Sequence, residues 1–261
     1  MPYGDIDLVA APGGWRGENN DPSRGTGYKP LELSHNDLTP TQKLQHALDM
    51  VEAVSLLHSY EGGVMVHGDI QTSQFLLDKD GRVLLNDFNR AEIMTWDEDG
   101  DHDYCRYTNG HGGGDVSPTP SIFYCNIYPG CVVPLTLVLY LRTIHFFGFQ
   151  WRAPEEYLDE PLNEKVDIFS LGNNFYTLLT GESPFYDTYT YDEVEKKVTD
   201  PEGKEKPFID PRFQNSSVAE KALANVIPRM WIYEPDDRID AFEIIKLLRE
   251  AKRLQEKAEQ Q

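Results

Sequence analysis

The sequence predicts an α+β domain that is mainly α, with five helices and one small β-hairpin. Three observations predict it. Between residues 38 and 254, apolar residues recur mostly at spacings of three and four, the period of a one-sided helix. A single pair of short apolar runs flanks a tight polar turn. One longer stretch, Val166 to Leu179, is apolar on nearly every side, as a helix enclosed by others must be.

Residues 1–37 are irregular, with Ala11-Pro-Gly-Gly14 and Gly25-Thr-Gly27 as turn material. The first helix starts at Thr39-Pro40-Thr41-Gln42. Thr39 suits the N-cap, Pro40 the first helical position, and Gln42 completes a capping box. Leu44, Ala47, Leu48, Val51, Val54 and Leu57 then form one buried stripe. Phe75-Leu-Leu77 and Val83-Leu-Leu85 read as hairpin strands joined by Asp78-Lys-Asp-Gly81. Gly181 ends the central helix. Asp192–Val198, Ser217–Trp231 and Ile239–Leu254 are three further helices, the last fading into a polar tail, residues 255–261.

At 261 residues, 39% hydrophobic and 26% charged, the chain is long enough and apolar enough to bury a core. A net charge of −20 excludes nucleic acid as a partner, because phosphates are neutralised by Lys and Arg, and it favours basic partners. Cys105, Cys125 and Cys131 have no metal-ligand or redox spacing and cannot all pair, so a reducing, cytoplasmic compartment is expected. Met1 to Gly17 shows no signal peptide. The most apolar run, Val132–Leu141, is too short to span a bilayer.

Chemistry concentrates in five motifs. Val66-His67-Gly68-Asp69-Ile70-Gln71-Thr72-Ser73-Gln74-Phe75-Leu76-Leu77 resembles the catalytic loop of protein kinases, H-R-D-L-K-x-x-N. Asn86-Asp87-Phe88-Asn89, just after a strand, resembles D-F-G. Trp151-Arg-Ala-Pro-Glu-Glu-Tyr157 resembles A-P-E. Asp167-Ile-Phe-Ser-Leu-Gly172 looks like the start of the family's buried central helix, and Glu234-Pro-Asp-Asp-Arg238 like its late arginine motif. All five occur in family order. The chain therefore resembles the C-terminal lobe of the eukaryotic protein kinase superfamily over residues 38–254, in a divergent, pseudokinase-like and truncated form, with residues 1–37 as an extension or a remnant of the hinge region.

The resemblance implies a role for each residue. Asp69 orients the substrate hydroxyl and accepts its proton, with Gln71 and Gln74 beside it in the catalytic loop. Asp87 and Gln74 hold Mg²⁺, and Leu76 floors the adenine of ATP. His67 and Phe88 pack as core residues behind the loop. Asp167 hydrogen-bonds the loop backbone, and Glu155 pairs with Arg238. Several positions depart from the family. Gly68 replaces an arginine that reads activation-segment phosphate, so control by such phosphorylation is not expected. Gln71 replaces the lysine that contacts the transferring phosphate, and Gln74 replaces the second metal ligand, Asn. Asn89 replaces glycine, a mild change because Asn tolerates left-handed backbone.

The ATP-gripping half has no counterpart in the sequence. No G-x-G-x-x-G precedes Asp69, and only Lys29 and Lys43 do, one before a proline in loop sequence and one on the first helix. About 37 residues cannot build a five-stranded lobe, given strands of 5–6 residues plus turns and a helix. Residues 116–150 also differ in kind, with no Asp, Glu or Lys although the chain has 44 acidic residues. Val116-Ser117 can be encoded by GTGAGT and Gln150 by CAG, so the segment reads as a retained intron, with a genuine hydrophobic insertion as the alternative. Two motifs carry no chemistry. Gly110-His-Gly-Gly-Gly114 lacks the G-x-S-x-G partner of esterases. Asp97–Asp103 lacks the glycine and glutamate of a calcium loop. The expected function is that of a protein kinase domain, ATP-dependent phosphorylation of protein Ser/Thr, inactive in this truncated form. Its partners are a protein substrate or a protein ligand. The alternative is a pseudokinase acting as a binding or scaffolding module.

Overall fold

The computed structural model describes residues 4–5, 36–78, 80–96, 104–108, 149–186, 188, 190–203 and 205–260. In order the elements are β1 (Gly4–Asp5), α1 (Pro40–His58), β2 (Val64–Val66), β3 (Phe75–Leu77), β4 (Val83–Leu85), β5 (Glu92–Met94), α2 (Pro154–Tyr157), α3 (Lys165–Thr180), α4 (Tyr191–Val198), α5 (Val218–Met230) and α6 (Ala241–Glu259). Short 3₁₀ turns occupy Thr72–Gln74, Phe149–Trp151, Pro211–Asn215 and Pro235–Asp237. The domain is mainly α, as expected. The segments read as a retained intron, a calcium-like loop and an esterase-like loop lie largely or wholly outside the described residues.

α1 begins where its capping box dictates. Thr39 Oγ1 accepts from Gln42 N at 3.2 Å, and Gln42 Oε1 accepts from Thr39 N at 2.9 Å. Two amides of the first turn, which have no partner within the helix, are thereby satisfied. Replacing Thr39 with Ala is expected to cost about 1 kcal/mol, read as a lower urea midpoint at unchanged m-value; an unchanged midpoint would refute the cap.

α3 is the axle of the domain. Every residue from Val166 to Thr180 is buried, and its polar side chains are spent inside. Ser170 Oγ donates to the Trp151 carbonyl at 2.7 Å, Asn174 to Ser170 O at 2.8 Å, and Thr180 to Tyr176 O at 2.8 Å. Gly172 lets α5 approach closely: a Cβ there would lie 3.0 Å from Met230 Cβ and from Trp231 Nε1. Gly181 caps the helix at φ 79°, a left-handed geometry that other residues adopt at a cost. α1 and α5 pack on this axle, α6 packs on α1 and α5, and all share one core with Phe175, Leu178, Leu223, Ile227 and Leu248.

Two findings extend the sequence reading. Besides the antiparallel β3–β4 hairpin (Phe75 opposite Leu85, Leu77 opposite Val83), a second antiparallel pair joins β2 to β5, Val64 opposite Met94. Its strands are three residues long and 25 residues apart in sequence, too short for periodicity to reveal. β1 adds to the edge of β3, giving the order β1-β3-β4. The polar tail over residues 255–261 is also corrected, because α6 continues to Glu259. Tertiary contact holds it there: Gln255 is buried and accepts Ala219 N at 3.2 Å, and Thr41 Oγ1 donates to Glu259 at 2.5 Å. No helix among the described residues is long and apolar enough to cross a membrane.

Candidate active site

The loop between β2 and β3 is built around the carboxylate of Asp167, which is itself buried in the first turn of α3. Asp167 Oδ2 accepts the backbone N–H of His67 at 2.8 Å, and Oδ1 accepts that of Gly68 at 2.9 Å. A third contact was not visible in the sequence: His58, in the last turn of α1, places Nε2 3.1 Å from Asp167 Oδ2. Helix α1, helix α3 and the loop are thus joined at one carboxylate. His67 is fully buried; its Nδ1 accepts Asp69 N at 3.3 Å and its Nε2 donates to Asn86 O at 3.0 Å, an arrangement that pins one ring tautomer.

Asp69 projects from this clamped loop. Its Oδ2 accepts from Gln74 Nε2 at 3.3 Å and from Gln71 Nε2 at 3.4 Å, and Arg90 Nη1 lies 3.7 Å from Oδ1. Gln74 is buried, Gln71 and Asp69 half-buried. The backbone of Asn86 donates to Gln74 O at 2.9 Å, which holds the Asn86-Asp87 turn against the catalytic-like loop. Asp87 is half-buried with φ 64°, a left-handed conformation uncommon for a residue with a side chain. Strain of this type persists where the surroundings over-determine it, and it concentrates at functional sites. Leu76, half-buried on β3, pairs with the exposed Leu84 of β4.

Two expectations for this turn are corrected. Phe88 is not a core residue: 47% of it is exposed, and it meets His67 edge-on with ring centroids 5.1 Å apart. The left-handed position falls at Asp87 rather than Asn89, so the tolerance of Asn for that geometry is not called upon.

Farther out, Arg238 closes the lower end of the lobe. It pairs bidentately with Glu155 at 2.5 and 2.7 Å, while its remaining N–H groups reach the carbonyls of Ile232, Tyr233 and Lys165 at 2.6 to 3.0 Å. The guanidinium also stacks on Phe169, 5.1 Å from the ring centroid. Residues 104–108 are pinned nearby. Tyr107 and Leu162 exchange backbone hydrogen bonds at 3.0 and 2.7 Å, and Arg106 grips Asp236 at 2.6 and 2.7 Å.

Residues 143–247 match the protein kinase domain model. Along most of the chain, similar relatives are kinases. The dual specificity protein kinase shkD of Dictyostelium discoideum is 25% identical over 84% of this chain and 23% of its own length. Serine/threonine-protein kinase 12 of Arabidopsis thaliana is 23% identical over 81% of this chain and 36% of its own. The serine/threonine/tyrosine-protein kinase HT1, also of Arabidopsis thaliana, is 25% identical over 78% and 39%. The chain is similar to the protein kinase superfamily, by the family model over residues 143–247 and by these relatives over about four fifths of its length. It spans between about a quarter and two fifths of the length of these relatives.

Kinases use ATP with Mg²⁺, and the donors present in this chain suit that metal. Mg²⁺ takes oxygen ligands, usually one or two from protein and the rest from phosphate and water. Asp87 offers a carboxylate that no donor among the described residues occupies, and Gln74 carries an amide oxygen beside it. No cluster of three or more His, Cys, Asp or Glu suited to a metal occurs among the described residues. Lys29 and Lys43 are the two lysines that precede Asp69. Lys29 lies outside the described residues. Lys43 is spent in the helical lobe, buried with Nζ 3.0 Å from Glu220 and 2.9 Å from Leu179 O. Burial pushes its ammonium pKa down, against the pull of Glu220.

Proposed function

We propose that the chain is the catalytic-loop half of an ATP-dependent protein Ser/Thr kinase, with Asp69 as the base and Asp87 as the Mg²⁺ ligand. The observation that carries this reading is the Asp69 carboxylate, oriented by Gln71 and Gln74 on a loop whose backbone is bolted to Asp167. Phosphoryl transfer depends mostly on positioning and on charge neutralisation. The clamp fixes where Asp69 stands, so a substrate hydroxyl is aligned and its proton accepted there. Mg²⁺, when bound, would neutralise phosphate charge from the side of Asp87 and Gln74. The relatives' names support protein hydroxyls as the substrate class.

The second reading is a pseudokinase, a binding or scaffolding module that keeps the fold without turnover. One observation favours it: Gln71 and Gln74 both direct amide nitrogens at Asp69, where the family has a lysine and an asparagine. A phosphotransfer assay on the full-length protein separates the two, since transfer that is lost in Asp69→Asn excludes the pseudokinase.

The 261-residue chain by itself is expected to bind Mg-ATP negligibly. Leu76 and Asp87 contact one face of a nucleotide, Lys43 is unavailable, and half a cleft cannot enclose a ligand. Calorimetry checks this; a dissociation constant in the low micromolar range would defeat it.

A further inference from the structure

Gly68 and Arg90 occupy each other's space in a way that neither the motif comparison nor the proposed roles explain. Gly68 has φ +72°, and a Cβ built on it would lie 2.9 Å from the carbonyl oxygen of Arg90 and 3.8 Å from the Arg90 Cβ. The family's arginine at this position is therefore excluded by the backbone of another arginine. That second arginine turns its guanidinium to the neighbouring residue, with Nη1 3.7 Å from Asp69 Oδ1. The Arg90 side chain is 30% exposed and that of Asp69 22%, so the pair sits at the mouth of the site and not on open surface. The two oxygens of Asp69 are thus divided: neutral amides from Gln71 and Gln74 reach Oδ2, and a cation faces Oδ1.

The cation has a fixed setting. Burial, then the like charge of Arg152, push its pKa down, while Asp69, Glu156 and Tyr107 act in the opposite sense. Arg152 itself reaches Glu156 at 3.3 Å, and Glu156 Oε2 accepts Ala153 N at 2.7 Å. Arg90 consequently stands between a repelling arginine on the A-P-E side and an attracting aspartate on the catalytic-loop side. The turn that carries it is closed by Ala91 N donating to Phe88 O at 3.2 Å, so backbone as well as charge sets its place.

We propose that Arg90 supplies, from the turn after Asp87-Phe88-Asn89, the positive charge that Gln71 does not supply from the catalytic loop. It would bridge the Asp69 carboxylate and the terminal phosphate of a nucleoside triphosphate. This inference rests on the phosphotransfer reading of the site. A guanidinium suits the task because its five donors can serve a carboxylate and a phosphate at once. Its location also accounts for Gly68: the loop has no side chain at 68 because the Arg90 backbone fills that volume.

The test compares wild type, Arg90→Gln, Arg90→Lys and the double variant Arg90→Gln with Gln71→Lys in the full-length protein. Binding of Mg-ADP and of the non-hydrolysable triphosphate Mg-AMPPNP is measured by calorimetry, turnover by phosphotransfer, and folding by melting temperature. Arg90→Gln is expected to leave ADP affinity and melting unchanged. It should lower the affinity advantage of the triphosphate about 10-fold and kcat about 10²-fold, the scale for removing one donor at a developing charge. Arg90→Lys should retain most of both, and Gln71→Lys should restore Arg90→Gln to within a few-fold, which a merely structural arginine could not explain. An unchanged triphosphate-to-diphosphate ratio in Arg90→Gln, or a loss that Gln71→Lys fails to rescue and that tracks a lower melting temperature, overturns the inference alone. If wild type binds both nucleotides without turnover and Arg90→Gln still removes the triphosphate advantage, the catalytic reading falls and Arg90 stands. If wild type binds neither nucleotide, both fall.

Discussion

Replacing Arg238 with Leu is expected to lower the stability of the folded chain by about 3–5 kcal/mol, because it leaves the Glu155 carboxylate buried without its partner. Both side chains are almost wholly enclosed, at 0% and 2% exposure. Arg238 also donates to three backbone carbonyls, those of Ile232, Lys165 and Tyr233. The change therefore also removes hydrogen bonds to part-buried carbonyls, which adds to the cost. For a domain of this size the corresponding drop in melting temperature is roughly 10 °C. Urea denaturation of the single variant and of the Glu155→Leu, Arg238→Leu double variant measures it. The double variant should recover part of the loss, since no charge is then left unpaired. A single-variant loss below about 1 kcal/mol would show that the pair is not a principal tie between α2 and the segment before α6.

Asp87→Asn is expected to abolish phosphotransfer by the full-length protein, with a fall of about 10²–10³ or more, since it removes the carboxylate proposed to hold Mg²⁺. The double change Gln71→Lys with Gln74→Asn should raise the rate. The gain should be smaller than the about 10² that a single donor can supply, because Arg90 already faces Asp69. Radiolabel transfer to a generic basic protein substrate checks both changes. No activity in wild type or in the double reversion would make the protein a pseudokinase. Ordinary wild-type activity, insensitive to the reversion, would show that the glutamines are not impaired substitutes.

Much of the architecture was legible because it is locally encoded. The capping box at Thr39, the apolar run of α3 and the glycine at 181 each specify an element from a handful of neighbouring residues, and each element lies within a residue or two of its expected bounds. The β2–β5 pair was not legible, because three-residue strands distant in sequence carry no period of their own. The extension of α6 to Glu259 was missed because its last turns are polar and are held by Ala219 and Thr41, residues far away in the chain. Phe88 was misplaced in the core because a motif records residue type and order, whereas burial depends on what packs over the ring.

For the site, the sequence alone determined the candidates: Asp69, Asp87, Asp167, Glu155 and Arg238 could be named from motif order. It also showed where the family's charges are missing, at Gly68, Gln71 and Gln74. Only the tertiary structure decided how those residues are held and what stands in the gaps. His58 joins Asp167 from another helix, Lys43 is consumed by Glu220, and Arg90 faces Asp69 across a space left by a glycine. The physical reason is distance along the chain. Helix caps, turns and motifs are set by neighbours in sequence, whereas a hydrogen bond across 109 residues or a cation 21 residues away depends on how the helices pack.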